Sequence, residues 1–241
     1  MADSSEFQPP PALLIFDCDG VLVDSESISC ALLSNRLRAH GLAVDAGYVK
    51  RHFLGRSLRS VREHADALGM PLPADFEATL NQALLARFGT ELRPVPGVDG
   101  LLAHLRRAGI PVCAASSSHL ARVKLSLDVT DLAHFFGPHV YTTEMVARGK
   151  PAPDIFLYAA AQMDTAPDRS LVIEDSVSGV RAGVAAGMRV WGFVGGDHHG
   201  GDDAVASSLR DAGAARVFDR MDAIVAALAG PASPASSRAS G

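Results

Sequence analysis

Short apolar runs that break off at polar residues recur along this chain, and they constrain its fold more than any other feature. Leu13-Leu14-Ile15-Phe16 follows Pro9-Pro10-Pro11 and ends at Asp17-Cys18-Asp19-Gly20, which predicts a short strand apolar on both faces. Such strands belong to parallel sheets covered on both sides by helices. Residues 110–115, 170–173 and 189–194 share this character, and residues 215–218 share it more weakly.

Helical patterns separate these runs. Residues 101–108 show helical spacing and stop at Gly109, residues 154–163 follow Pro153, and residues 177–186 end at Gly187. Proline is tolerated in a first helical turn, and glycine closes helices because it accepts a left-handed backbone. The alternation predicts an α/β core with a Rossmann-like, doubly wound parallel sheet, spanning residues 12–24 and 95–229.

One stretch breaks the alternation. Residues 25–94 hold no strand pattern, only helix-like patterns at 30–39, 60–68 and 76–88, separated by Gly41, Gly69-Met70-Pro71 and Gly89. A crossover between parallel strands needs only about a dozen residues, so this segment is expected to be an inserted α-helical cap domain. Pro94-Val95-Pro96-Gly97 closes it off. The tails, residues 1–11 and 230–241, are too poor in apolar surface to order themselves and are expected to be disordered.

Composition narrows the partners. A formal charge of −5, from 22 Lys+Arg against 27 Asp+Glu, lacks the basic excess of a protein that tracks nucleic-acid phosphates. No apolar run approaches the roughly 18 residues of a membrane helix, and residues 1–11 do not read as a leader. Cys18, Cys30 and Cys113 are odd in number and widely spaced, matching neither a disulfide framework nor a zinc site. A cytoplasmic location is expected.

In open α/β sheets ligands gather at the carboxyl ends of the strands. Asp17 and Asp19 follow the first run, Ser116-Ser117-Ser118 the second, and Glu174-Asp175 the third, with Lys150 in the loop before the intervening helix. Each item alone has a plain reading as a turn, a cap or a solvated surface group; their joint placement does not. Four carboxylates in one crevice repel one another unless a cation compensates, and magnesium is the expected cofactor, with Asp17, Asp175 and a carbonyl near Asp19 as a partial shell. Asp17 is then placed to attack phosphorus, and Asp19 to protonate the leaving oxygen and later activate water. Lys150 and Ser116 would complement the charge on a phosphoryl group.

These residues stand in motifs that resemble the haloacid dehalogenase superfamily, in its β-phosphoglucomutase-like phosphatase branch. The motifs run in order: Phe16-Asp17-Cys18-Asp19-Gly20-Val21-Leu22-Val23-Asp24-Ser25-Glu26, Ala115-Ser116-Ser117-Ser118, Lys150-Pro151-Ala152-Pro153-Asp154 and Glu174-Asp175-Ser176. The resemblance covers residues 13 to about 228. It implies a nucleophile at Asp17, an acid/base at Asp19, a phosphate clamp of Ser116, Ser117 and Lys150, and a magnesium site of Asp17, the Asp19 carbonyl, Glu174 and Asp175. It also implies a cap that closes over a small phosphorylated metabolite, such as a sugar or sugar-acid phosphate, in a monomer or weak homodimer.

Departures refine the subtype. Asp19 argues against dehalogenation, and Ser29 and Leu54 stand where the sugar phosphomutases of the branch carry a cap histidine and lysine, so hydrolysis is favoured over mutase chemistry. A non-catalytic phospho-acceptor module is the rival from another class, and the large cap and Asp19 argue against it. Within the cap, Gly55 and Arg56 are candidates for substrate specificity, with Arg56 suited to an anionic or hydroxylated group. His198-His199 is not expected to form a metal site.

Overall fold

Every side chain of β1 (Leu13–Phe16) is fully buried, as an unbroken apolar strand requires. The structure, a computed structural model, describes residues 10–53, 58–197 and 202–229. Five further strands, β2 (Val112–Ser116), β3 (Val140–Thr142), β4 (Ser170–Glu174), β5 (Arg189–Phe193) and β6 (Arg216–Phe218), complete one sheet in the order β3-β2-β1-β4-β5-β6. All pairings are parallel. β1 is flanked by β2, with Phe16 opposite Ala114, and by β4, with Phe16 opposite Ile173. The chain therefore builds outward on one side of β1 and then crosses to the other, which opens a crevice at the strands' carboxyl ends.

Side chains alternate along β1 between two cores. Leu14 and Phe16 enter the core packed by α5 (Val98–Arg107), α6 (Leu120–Val129), α7 (Ala133–Phe136) and α11 (Met221–Leu228). Leu13 and Ile15 enter the core packed by α8 (Asp154–Gln162), α9 (Val177–Ala185) and α10 (Asp203–Asp211). Burying each such side chain contributes about 1.5–3 kcal/mol, so both helical layers are held to the sheet by hydrophobic burial. Gly109 and Gly187 follow α5 and α9 with φ of 69° and 73°, the left-handed ends expected there.

Between β1 and α5 the described chain is helical: α1 (Glu26–Ala39), α2 (Ala46–Phe53), α3 (Leu58–Ala67) and α4 (Phe76–Glu91). Cys30, Leu33 and Leu37 of α1 and Leu80, Leu84 and Phe88 of α4 recur at three- and four-residue spacing and are buried in the cluster that also holds Phe16. The segment leaves and re-enters side by side. Val23 bridges Pro94, the Asp24 N–H donates to the Arg93 carbonyl at 3.0 Å, and the Val95 N–H to the Leu22 carbonyl at 3.0 Å.

The apolar pattern placed the strands well but stopped one residue short at two of them. β2 runs on to Ser116 and β4 to Glu174, so the last residue of each strand is already part of the polar crevice. β3 has only three residues at the sheet edge, too few for a periodic signal, and it was not expected. No described helix is long and apolar enough to cross a membrane, and the three cysteines are buried and free. Leu54, Gly55, Arg56, His198, His199 and most of both tails lie outside the described residues.

Candidate active site

Asp17 follows β1 directly, and its N–H extends the sheet by donating to the Ile173 carbonyl at 3.0 Å. The chain then turns back on itself. Leu22 and Val23 N–H groups both donate to the Cys18 carbonyl, and Gly20 takes φ 82° at the turn, where a side chain would be strained. This tight loop aims Asp17 and Asp19 from one backbone into the crevice.

Lys150 crosses to them from the loop before α8. Its Nζ donates to Asp17 Oδ1 at 2.5 Å, to Glu174 Oε1 at 2.8 Å and to the Ala115 carbonyl at 3.0 Å, and it stands 4.9 Å from the centre of the Phe156 ring. All three ammonium protons are used within the protein. The other oxygen of Glu174 accepts from the Ser176 N–H at 2.7 Å and the Ser176 hydroxyl at 2.9 Å. That hydroxyl in turn accepts from the Gly179 N–H and caps α9. Glu174 is thus held between Lys150 and the start of α9, and a Cβ at Gly179 would overlap its carboxylate.

Asp19 faces a different set of donors. Oδ1 accepts from the Ser25 hydroxyl at 2.5 Å and from Arg122 Nη2 at 2.8 Å, and Oδ2 accepts from the Ser118 hydroxyl at 2.6 Å. The buried Ser116 lies beneath, its hydroxyl accepting from the Ser118 N–H at 3.0 Å, while Ser117 and Ser118 face the cavity. The expected residues Asp17, Asp19, Ser116, Ser117, Lys150, Glu174 and Asp175 therefore all meet at one end of the sheet. Gly55 and Arg56 lie outside the described residues.

The two aspartates sit in opposite electrostatic settings. Burial pushes the Asp17 carboxyl well above the usual range; Lys150 opposes this, while the Glu174 and Asp175 carboxylates add to it. For Asp19 burial acts upward too, but the Arg122 charge and the hydrogen bonds from Ser118, Ser25 and Arg122 outweigh it and hold the carboxyl below its ordinary value. Burial, with Asp19 and then Asp175 nearby, raises Glu26 to about 8 against the opposing pull of Arg122. The Glu174 and Asp175 carboxylates stand near enough to Asp17 to raise it, and such an oxygen-rich corner fits a hard divalent cation. Among the described residues no three His, Cys, Asp or Glu side chains form a ready-made cage, so such an ion would rely on few protein ligands.

A cavity of about 1150 Å³ opens over these groups, walled on the helical side by Glu26, Ser29, Glu77 and Asn81. A separate hollow of about 370 Å³ beside Arg38, Asp45, Tyr48 and Arg51 contains none of the site carboxylates. Ser25 stands in the first motif but has no role assigned from the sequence, and Arg122 and Gly179 were not singled out. Arg122 stands four residues after Ser118, so once Ser118 is placed at the strand end, Arg122 falls on the same side of the first turn of α6.

A family model for haloacid dehalogenase-like hydrolases matches residues 11–187. Hexitol phosphatase A of Escherichia coli K12 is 33% identical over 177 residues, covering 73% of this chain and 80% of that protein. The 6-phosphogluconate phosphatase of the same organism is 28% identical over 192 residues, covering 77% and 84%. A crystal structure of a hydrolase of this family from Deinococcus radiodurans R1, with bound phosphate and sodium, superposes with a TM-score of 0.77 at 36% identity, covering 92% of this chain and 96% of that one. The family read from the motifs is borne out, and the chain belongs to the haloacid dehalogenase-like hydrolases.

Proposed function

We propose that this hydrolase is a magnesium-dependent phosphatase that cleaves a small phosphorylated metabolite through a phosphoaspartyl intermediate on Asp17. The observation that carries the proposal is the division of labour between two aspartates two residues apart. Asp17 is held by Lys150 among other carboxylates, and Asp19 is held separately by Ser25, Ser118 and Arg122.

In the first step Asp17, which must be ionised, bonds through a carboxylate oxygen to phosphorus, the ester P–O bond breaks, and Asp19, an ion in the free site, passes to the leaving oxygen a proton it has taken up from solvent or from the phosphate monoester monoanion. In the second, Asp19 takes a proton from water, the water oxygen bonds to phosphorus, and the bond to Asp17 breaks to release phosphate. Lys150, Ser116 and Ser117 are the phosphate clamp in this reading, and Lys150 exchanges one of its present partners for a phosphoryl oxygen. The Asp17, Glu174 and Asp175 side chains and the Asp19 carbonyl would hold magnesium, with Glu174 also orienting Lys150. Bound magnesium supplies charge neutralisation for the phosphoryl oxygens.

The cavity walls and the relatives bear on the substrate. Glu26, Ser29, Glu77 and Asn81 offer hydrogen-bonding groups suited to hydroxyls, and two relatives are named for hexitol and 6-phosphogluconate phosphatase activities. A sugar, polyol or sugar-acid phosphate fits both. The helical segment 25–94 would act as the cap that excludes water during the first step.

The test is phosphate release from hexose, pentose, polyol and sugar-acid phosphates, with magnesium or EDTA, by wild type and Asp17→Asn. Magnesium-dependent release that Asp17→Asn abolishes is expected. Equal, negligible release by both proteins from every ester rejects the phosphatase reading.

A further inference from the structure

We propose that Arg122, which belongs to none of the motifs, is a positioning residue that fixes Asp19 Oδ1 as a pure acceptor and leaves Oδ2 as the oxygen that exchanges protons. This deepens the phosphatase reading above and rests on it. Arg122 Nη2 lies 2.8 Å from Oδ1, and the Ser25 hydroxyl takes the same oxygen at 2.5 Å. Oδ2 meets the Ser118 hydroxyl at 2.6 Å.

These neighbours are not equivalent. A guanidinium donates and never accepts, so Oδ1 facing Arg122 has no acceptor for a proton of its own on that side. A serine hydroxyl rotates and serves as donor or acceptor, so Ser25 on Oδ1 and Ser118 on Oδ2 both tolerate a proton, and the guanidinium, present on Oδ1 alone, is what disfavours one there. Asymmetry of the partners thus selects one carboxyl oxygen for transfer.

The guanidinium is itself fixed. It stands 5.0 Å from the centre of the fully buried Phe88 ring at the end of α4, while Nη2 is tied to Asp19 Oδ1. Arg122 springs from the first turn of α6, whose Leu120 N–H is held by Glu144 Oε2 at 2.7 Å. Side-chain exposures of 22% for Arg122 and 15% for Asp19 leave little water to substitute for this contact.

The experiment compares kcat/KM for an alkyl phosphate, whose leaving group needs a proton, and p-nitrophenyl phosphate, whose leaving group does not. In Arg122→Leu the alkyl ester is expected to lose about 10²-fold, the cost of a misplaced catalytic group, and the aryl ester less than about threefold. Asp19→Asn should show the same split more strongly, and combining the two changes should add little. Free guanidinium should restore part of the alkyl activity to Arg122→Leu, and affinity for inorganic phosphate by calorimetry should stay within about twofold of wild type, because Arg122 acts through Asp19. If Arg122→Leu fails to fold, Arg122→Lys and Arg122→Gln carry the same comparison.

Equal loss on both esters, no loss on either, or a large fall in phosphate affinity overturns the positioning role while leaving the phosphatase reading intact. A wild type inactive on every ester overturns both.

Discussion

Lys150 Nζ lies 2.5 Å from Asp17 Oδ1, and the Glu174 carboxylate and Ala115 carbonyl take its other protons. The lysine side chain is 3% exposed and its two carboxylate partners are nearly as buried, so the ion pairs work in a medium that screens them little. Lys150→Met leaves two buried carboxylates without their cation. Unfolding by urea should show a loss of about 3–5 kcal/mol, and phosphate release should fall by at least about 10²-fold. Asp17 and Glu174 raise the lysine pKa against the effect of burial, which is larger than either alone. Its stabilising contribution is therefore complete below the ordinary lysine pKa and is lost only as pH rises through the higher folded value. Without the lysine nothing opposes the upward push on Asp17, so the variant binds its proton more readily when folded and the stability difference should shrink as pH falls from 9 towards 6.

Gly179 makes a different demand. A Cβ there would overlap the Glu174 carboxylate, whereas a Cβ at Gly100, inside α5, would meet nothing within 4 Å. Gly179→Ala should cost about 1–3 kcal/mol by overpacking and lower kcat by displacing the carboxylate that orients Lys150. Gly100→Ala should gain about 0.5–1 kcal/mol from helix propensity alone. Thermal melts of the two variants side by side separate the local clash from a general effect of replacing glycine.

Much of this arrangement is legible in the sequence. Leu13–Phe16 and the apolar runs of β2, β4 and β5 announce a parallel sheet because both faces are buried, and the polar residue after each run marks the crevice. Three-residue β3 lies at the sheet edge, where a strand leaves almost no pattern. The Asp19–Arg122 contact joins residues 103 positions apart, and Arg122 sits in α6, outside every motif of the sequence. Sequence order identifies which groups reach the crevice; which oxygen each donor takes depends on the turn at Gly20 and on where α6 begins.

Glu26 provides a pH test. Burial and the neighbouring Asp19 and Asp175 charges raise its carboxyl to about 8 in the folded protein, whereas the unfolded chain ionises near the ordinary glutamate value. Between those values the folded state binds more protons than the unfolded one, so this group makes stability fall as pH rises. Glu26→Gln copies the protonated form. Its metal-free melting temperature should match wild type near pH 4.5, exceed it increasingly towards pH 8, and keep a constant lead above that. A lead that is the same at every pH would mean that Glu26 does not titrate in this window.

Asp17 supplies the corresponding test for the cation. Burial, reinforced by Glu174 and Asp175 and only partly opposed by Lys150, raises its carboxyl, so the folded protein retains this proton more readily than the unfolded chain. By the same sign, ionised Asp17 opposes folding at neutral pH when no metal is present. Asp17→Asn should therefore raise the metal-free melting temperature, by roughly 2–4 °C for each kcal/mol of repulsion removed. Magnesium should reverse the order. An ion bound only to the folded state stabilises by about 2.7 kcal/mol at a hundred times its Kd, and wild type should gain this while the Asn variant gains little. Differential scanning fluorimetry over a magnesium titration reads both effects without any substrate. A wild type indifferent to magnesium, or a variant that gains as much, would place the ion elsewhere than on Asp17.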